Sequence, residues 1–463
     1  MKEIKNLTLP KNIVDLISYA GFGVLFILSI VLWKERIIHV DTAFQVFKWI
    51  NFEKINIEAS RYAAIFPQLI PLIFIKLGSS LRTILIVSSL SFTLMQFIVF
   101  LIIRYGYKDI LSSFGLVLSL VICTALNFYF PVAEAYQALY FLMLFYVHFR
   151  HFKGKYIVKN GLSAVLILLC LFAHPSSIFG VIFIVGLFFL ETKKWKESIF
   201  AIAITGLYFA IKMLTTDGNS YEGNLFAQIG TFGDNFLNIP SLYSTQFFLR
   251  NIFSKAYYIF PMLLLTVVAI LGFKKEKWKV IFSLAFTLIF FVVTVLIFHQ
   301  GEADAMLEKS FILIGLFAVI ASIDILKQAR AIALFYFLGS TILIFKLFVI
   351  ANTHVYFTNR LMKMQAFLDA ATTSKSIVKN DNIDIGVPWA VGVETLLLSA
   401  SQNNCKTVYL ESQQIQKQDT LNPNLFLFIH AERNRTNTYL SKKYFNLKNE
   451  PYSVLDMGSN SAQ

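Results

Sequence analysis

Charge is scarce in this 463-residue chain: Asp, Glu, Lys and Arg together make up 15% of it, against 57% apolar and 16% aromatic residues. Soluble domains carry about 25% charged residues, so an ordinary cytosolic enzyme is excluded. Disorder is excluded too, because it requires low hydrophobicity. Cysteine is nearly absent. Cys123, Cys170 and Cys405 give no disulfide framework and no Cys-x-x-Cys pair. The chain has no Walker A loop, no Gly-x-Gly-x-x-Gly after a strand, no His-Glu-x-x-His and no zinc-spaced Cys/His cluster. His148 and His151, three apart among basic residues, read as solvated or headgroup-facing. There is no internal repeat and no low-complexity segment.

What the chain has is long apolar runs, with a mean hydropathy of +0.64. A run of about 20 residues crosses the roughly 30 Å hydrocarbon core of a bilayer as a helix. Eleven such runs are predicted, at residues 13–33, 81–103, 110–127, 135–149, 157–173, 178–190, 198–214, 256–273, 280–298, 310–325 and 331–351. The first is long and has no small-residue cleavage site after it, so it reads as a membrane helix and not as a signal peptide. The fold class expected is therefore a polytopic α-helical membrane protein. The net charge of +14 then points to lipid topology and not to nucleic acid, because basic residues collect in cytoplasmic loops.

Those loops alternate. Basic clusters fall at Lys2/Lys5/Lys11, Arg104/Lys108, Arg150/Lys153/Lys155/Lys159, Lys193/Lys194/Lys196, Lys274/Lys275/Lys277/Lys279 and Lys327/Arg330. The segments at 128–134 and 174–177 have none. The alternation holds if the shorter run 63–77, which contains Pro67 and Pro71, lies in the interface and does not cross. The N-terminus is then cytoplasmic, and the first loop (34–80), the 215–255 loop and the tail are outside. With no organelle targeting signal in the sequence, an inner or plasma membrane is the default. Lys194-Trp195 and Lys277-Trp278 read as interface anchors. Residues 1–351 form the membrane domain. Residues 352–463 turn polar and read as a small α/β domain, with helices at 357–373 and 393–401 and strands at 384–387, 407–410 and 425–430.

Ionisable residues near membrane depth are costly, so those by the outer face are the candidates for function. They are Asp41, Glu53, Glu58, Arg61 and Tyr62 in the first loop, Glu134 in the second and His174 in the third. His299, Glu302, Asp304, Glu308 and Lys309 lie in the fifth. Each has a plainer alternative. Asp41 could cap a helix, and Glu134 could only be answering a helix dipole. His174-Pro175 could break a hairpin, and Glu302 and Asp304 could sit in a solvated turn. Together, two acids on separate loops could hold a divalent metal against a phosphate, or one could be a general base.

The order of these features resembles the GT-C class of polyprenyl-phosphate-dependent membrane glycosyltransferases, over about residues 12–190. Asp41 matches that class's acid after the first membrane helix. Glu58, Pro67, Pro71, Leu77-Gly78 and Arg82 look like its first-loop pattern. Glu134 stands where the class more often has Asp. The resemblance implies a hexosyl- or pentosyl-type transferase using a lipid-phosphate sugar donor among membrane lipids, with inversion at the anomeric carbon. Asp41 would be the base and Glu134 would position the acceptor. Mg or Mn would be held by Asp41 and Glu134. Glu58, Arg61, Tyr62, His174 and Arg250 would bind donor or acceptor, with Arg61, Arg82 or Arg250 offsetting the phosphate. A polysaccharide polymerase or ligase would lean instead on Arg250 and His299. A transporter would show paired half-helices at mid-membrane. A non-catalytic relative acting in assembly is the remaining alternative.

Overall fold

The computed structural model describes residues 11–218, 220–254, 257–328, 331–378, 387–410, 420–430 and 435–455. Seven helices are long and apolar enough to cross a membrane. They are α1 (Lys11–Val31), α5 (Leu81–Leu101), α8 (Tyr156–Ala173), α10 (Trp195–Thr215), α14 (Ile259–Ile297), α15 (Asp304–Gln328) and α16 (Ile332–Ala370). Between the first two lie α2 (Trp33–Ile37), α3 (Val40–Phe52) and α4 (Ile65–Lys76). Then come α6 (Ile110–Val121), α7 (Glu134–His151) and α9 (Ser177–Thr192). At about 1.5 Å per residue the 12-residue α4 is roughly 18 Å long, the same length as α6, and unlike α6 it carries a proline, Pro71, inside the helix.

Helix α14 takes up two of the predicted runs. Its 39 residues break at Glu276, whose φ of −129° and ψ of 41° are not helical. A Cβ on Gly272 would lie 3.0 Å from Val280 Cγ2 and 2.2 Å from Ile325 Cγ2. In a straight helix, residues eight apart are about 12 Å apart along the axis. The two halves are therefore folded against each other, and glycine is what lets α15 approach them. Gly272→Val should destabilise the protein by about 1–3 kcal/mol, the usual cost of forcing extra methyl groups into a packed contact. Chemical unfolding in detergent measures it, beside Gly23→Val, whose added atoms meet open space. Equal midpoints for the two variants would refute the packed hairpin.

Helix α15 is the centre of the bundle, with 89% of its apolar window buried, whereas α10 is peripheral at 17%. One end of the bundle is laced by ion pairs. Arg104 grips Asp15 through two hydrogen bonds of 2.7 and 2.6 Å, and Lys159 meets Glu197 at 2.6 Å. Arg150 joins Glu191 and, at 2.6 Å, Asp324. His148 corrects the sequence-based expectation. It is fully buried, with its ring between the Tyr107 hydroxyl (2.8 Å) and the Lys159 carbonyl (3.1 Å). The helix carrying it is enclosed on nearly all sides, so a ring on the last turn faces protein.

The opposite end carries the C-terminal unit. Helix α16 does not stop near residue 351. It continues to Ala370 and delivers the chain to β1 (Lys375–Val378). Then follow α17 (Pro388–Ala400), β2 (Thr407–Leu410), β3 (Phe426–His430), β4 (Arg435–Thr438) and β5 (Ser453–Leu455). β1 pairs in parallel with β2 on one side and β5 on the other, while β3 and β4 form an antiparallel pair. The strand expected at 384–387 falls almost wholly outside the described residues. The core of this unit includes the first loop: Phe44, Phe47, Trp49 and Ile50 of α3 share a cluster with Val393, Leu397, Val408 and Phe426. The loop therefore packs with the C-terminal unit as much as with the bundle, which positions Asp41.

Candidate functional site

The site forms where loop backbone departs from ordinary geometry. Val40, Ala59 and Ser60 have positive φ of 34°, 48° and 58°. A left-handed conformation costs an L-residue roughly 1–2 kcal/mol, and Val40 is β-branched, which makes it an outlier. Val40 precedes Asp41, and Ala59-Ser60 precedes Arg61. Such strain persists only where the surroundings over-determine it, and it gathers at working sites. At Ala59 the restraint is visible: Lys212 Nζ donates to its carbonyl at 3.2 Å.

Arg61 stands at the centre. Its Nη1 lies 2.7 Å from Glu134 Oε2, and its Nη2 lies 3.5 Å from Glu222 Oε1. Lys212 closes on Glu222 at 2.6 Å, and Lys309 comes within 4.0 Å of Glu134. Asp41 is near enough to feel Lys309, Glu134 and Arg61. Five separate stretches of chain thus converge: the start of α3, the 58–64 turn, the start of α7, the end of α10 with α11 (Tyr221–Ala227), and the first turns of α15.

The electrostatics separate the two acids. Asp41 keeps solvent-exposed surface but sits in a recess walled by protein. Burial, with help from Glu134 and Glu394, raises its carboxyl above the usual range against the pull of Lys309 and Arg61. For Glu134 burial also acts upward, but Arg61 and then Lys309 outweigh it and hold the carboxyl below its usual value. One acid is held ionised, and the other is poised to take a proton, a division that suits acid–base work. His174 is pushed well below the ordinary imidazole value, by burial first and then by Arg61 and Lys309. It is a neutral ring here. Ser176 N donates to its Nδ1 at 3.2 Å, which leaves the ring proton on Nε2.

Beside this cluster lies a small cavity whose mixed polar and apolar wall includes Trp49, Glu58, Arg61, Gln68, Glu134 and Gln137. Its free space is about one water molecule in size. Trp49 Nε1 and both amide atoms of Gln137 are buried without a hydrogen-bond partner among the described residues.

Of the residues singled out in sequence, the fold brings together Asp41, Glu134, Arg61 and His174. Glu58 borders the cavity but is engaged by Lys48 and by Asn56 Nδ2 at 2.9 Å. Tyr62 lies alongside, its ring edge-on to Phe172 at 5.2 Å. Arg250 makes its contacts within its own helix, α13 (Tyr243–Arg250), where it lies over the Tyr243 ring and donates to Gln246 O. No ion pair or hydrogen bond among the described residues joins it to the cluster. Arg82 is exposed at the start of α5. Glu302 and Asp304 are exposed, as a solvated turn would be. Sequence reasoning missed Lys212, Glu222 and the part played by Lys309. Lys212 did carry a signal, being a cation at the end of an apolar run. Glu222 carried none, as one acid in a polar loop.

Glu134 is already engaged by a guanidinium, and among the described residues no three His, Cys, Asp or Glu side chains gather as a metal site. Comparison with protein-family models, with curated proteins and with solved structures finds no match to this chain.

Proposed function

We propose that this chain is an integral-membrane glycosyltransferase that moves a hexosyl- or pentosyl-type sugar from a polyprenyl-phosphate donor to an acceptor hydroxyl. In this reading the protein spans an inner or plasma membrane with its N-terminus cytoplasmic. Eleven crossings follow if α6, α7 and α9 count and α14 counts twice. The C-terminal unit and the Asp41–Glu134 cluster are on the outer face. The single observation that carries the reading is the meeting of two acids and two cations, distant in sequence, in one recess at the end of an apolar bundle.

The recess supplies the parts a sugar transfer needs. Asp41 takes the proton from the acceptor hydroxyl. The acceptor oxygen attacks the anomeric carbon as the bond to the phosphate oxygen breaks. The leaving phosphate departs with the electron pair, and Arg61 and Lys309 offset its charge, as fixed cations aimed at developing charge do. No metal step is needed, because these side chains bring the positive charge. Glu134 keeps Arg61 and Lys309 in place. Neutral His174 can donate from Nε2 without adding charge. The unpartnered Trp49 and Gln137 groups border a space the size of one water molecule, and such groups are costly to leave unmet.

The test is transfer by the purified protein in nanodiscs, with radiolabelled polyprenyl-phosphate sugars and envelope lipid or protein acceptors. The expected result is label on the acceptor with the anomeric configuration inverted. Label that only changes leaflet while still on its lipid would replace this reading with transport. Retention of configuration would remove Asp41 from the role of base in a single displacement.

A further inference from the structure

The turn that presents Asp41 is held from the C-terminal unit. Val40, the strained residue before it, donates its N–H to Glu394 Oε1 at 2.5 Å. Glu394 lies on α17 and is completely buried. It is gripped by Arg360, on the extension of α16, through hydrogen bonds of 2.7 and 2.6 Å in a two-pronged pairing. Arg360 is itself 8% exposed. His39, on the other side of Val40, is wedged edge-on between the rings of Phe130 and Phe357, with centroids at 4.0 and 4.9 Å. Phe357 sits one turn before Arg360 on the same helix. So the two residues that lead into Asp41, His39 and Val40, are held by α16 and α17 together with Phe130, not by the membrane bundle alone.

A buried ion pair is weak evidence for stability, because desolvation offsets its attraction. One oxygen of this pair, however, also accepts from a backbone in a conformation that valine resists. We propose that the Arg360–Glu394 pair is a positioning element through which the C-terminal unit fixes the His39–Val40–Asp41 turn, and with it the candidate base. The inference rests on the glycosyltransferase reading for its catalytic meaning, but the structural coupling it asserts can be read without any transfer. The groups acting on Asp41 come from four elements: Lys309 of α15, Glu134 of α7, Arg61 before α4 and Glu394 of α17. Glu394 is the one the C-terminal unit contributes.

The experiment uses the full chain in nanodiscs. Its first readout is the pH dependence of carbodiimide labelling at Asp41, followed by mass spectrometry of the Asp41 peptide. Glu394→Gln removes a negative charge but keeps an oxygen for Val40, so the labelling midpoint should move to lower pH. The second variant replaces both partners, Arg360→Met with Glu394→Leu, since swapping a buried pair for apolar residues often leaves folding intact. It should keep its thermal midpoint yet change Asp41 labelling. In the transfer assay its kcat should fall by about a hundredfold, the cost of a small misplacement of a reacting group, with KM little altered. A double variant that folds, labels and transfers like wild type overturns the proposal. If wild type transfers nothing, the glycosyltransferase reading fails, while the labelling arm still decides whether the pair positions Asp41.

Discussion

Replacing Asp41 by asparagine should lower sugar transfer by about a hundredfold to ten-thousandfold, the range that positioned general bases contribute. Asparagine has nearly the shape of aspartate and keeps an oxygen in place, but it cannot take a proton at neutral pH. Because burial raises the Asp41 carboxyl, the acid limb of the wild-type rate should lie above the ordinary carboxylate range. Activity is lost as pH falls through that limb. Stability runs the opposite way. A carboxyl raised in the folded state binds its proton more tightly there than in the unfolded chain. Its favourable contribution is therefore complete below the unfolded value and is lost as pH rises through the folded one. At neutral pH Asp41 is then a net cost to the fold, so Asp41→Asn should raise the unfolding midpoint. That advantage should fade on acidification. A less active but more stable variant is the usual mark of a working group. A variant that transfers at the wild-type rate would remove Asp41 from the chemistry. One that loses activity and stability together would recast Asp41 as a structural residue.

How far the sequence carries can be judged from particular residues. Asp41 and Glu134 were legible because each is a lone acid at the edge of an apolar run, where charge is expensive and therefore informative. Their meeting was not legible, since no local pattern records that the 58–64 turn brings Arg61 onto Glu134 and within electrostatic reach of Asp41. The two-strand register of β1 with β2 was half legible: 407–410 reads as a strand, but β1, four residues long, is masked by the helix before it. The polar turn in composition near residue 351 suggested a boundary, yet the helix runs on to Ala370. Its Phe357, Leu361, Met364 and Phe367 still recur at helical spacing; Phe357 packs into the bundle core, and Leu361, Met364 and Phe367 bury themselves against the C-terminal core. Composition marks where the apolar stretch ends, whereas periodicity marks where the helix does. At α14 the opposite happened, because the basic cluster at 274–279 correctly marked a reversal within an almost unbroken helical run.

The second large effect should come from Glu308→Ala. In sequence Glu308 is one more acid of the 299–309 segment, no different in kind from the exposed Glu302. The fold places it wholly out of solvent. Its carboxylate accepts from three successive backbone N–H groups, Ala125 (2.9 Å), Leu126 (3.0 Å) and Asn127 (2.8 Å), and from Asn127 Nδ2 at 3.0 Å. The chain there leaves α6 for a short turn and must find acceptors for amides that no helix satisfies. The buried Lys346 ammonium is within its electrostatic reach. Alanine strips the acceptor from these donors and the partner from a buried cation, and breaking such an arrangement costs about 3–5 kcal/mol. Because the same turn runs on to Glu134, and Lys309 is the next residue, the cluster should loosen as well. Unfolding in detergent measures the loss. Adding Lys346→Met to Glu308→Ala should restore part of it, by removing the stranded charge, but not the share owed to the amides. If the double variant were no more stable than Glu308→Ala within about 0.5 kcal/mol, the limit of ordinary additivity, Lys346 would have no part in the arrangement. If Glu308→Ala itself cost less than about 1 kcal/mol, which is the worth of one ordinary hydrogen bond, the turn would have to be held by something other than this carboxylate.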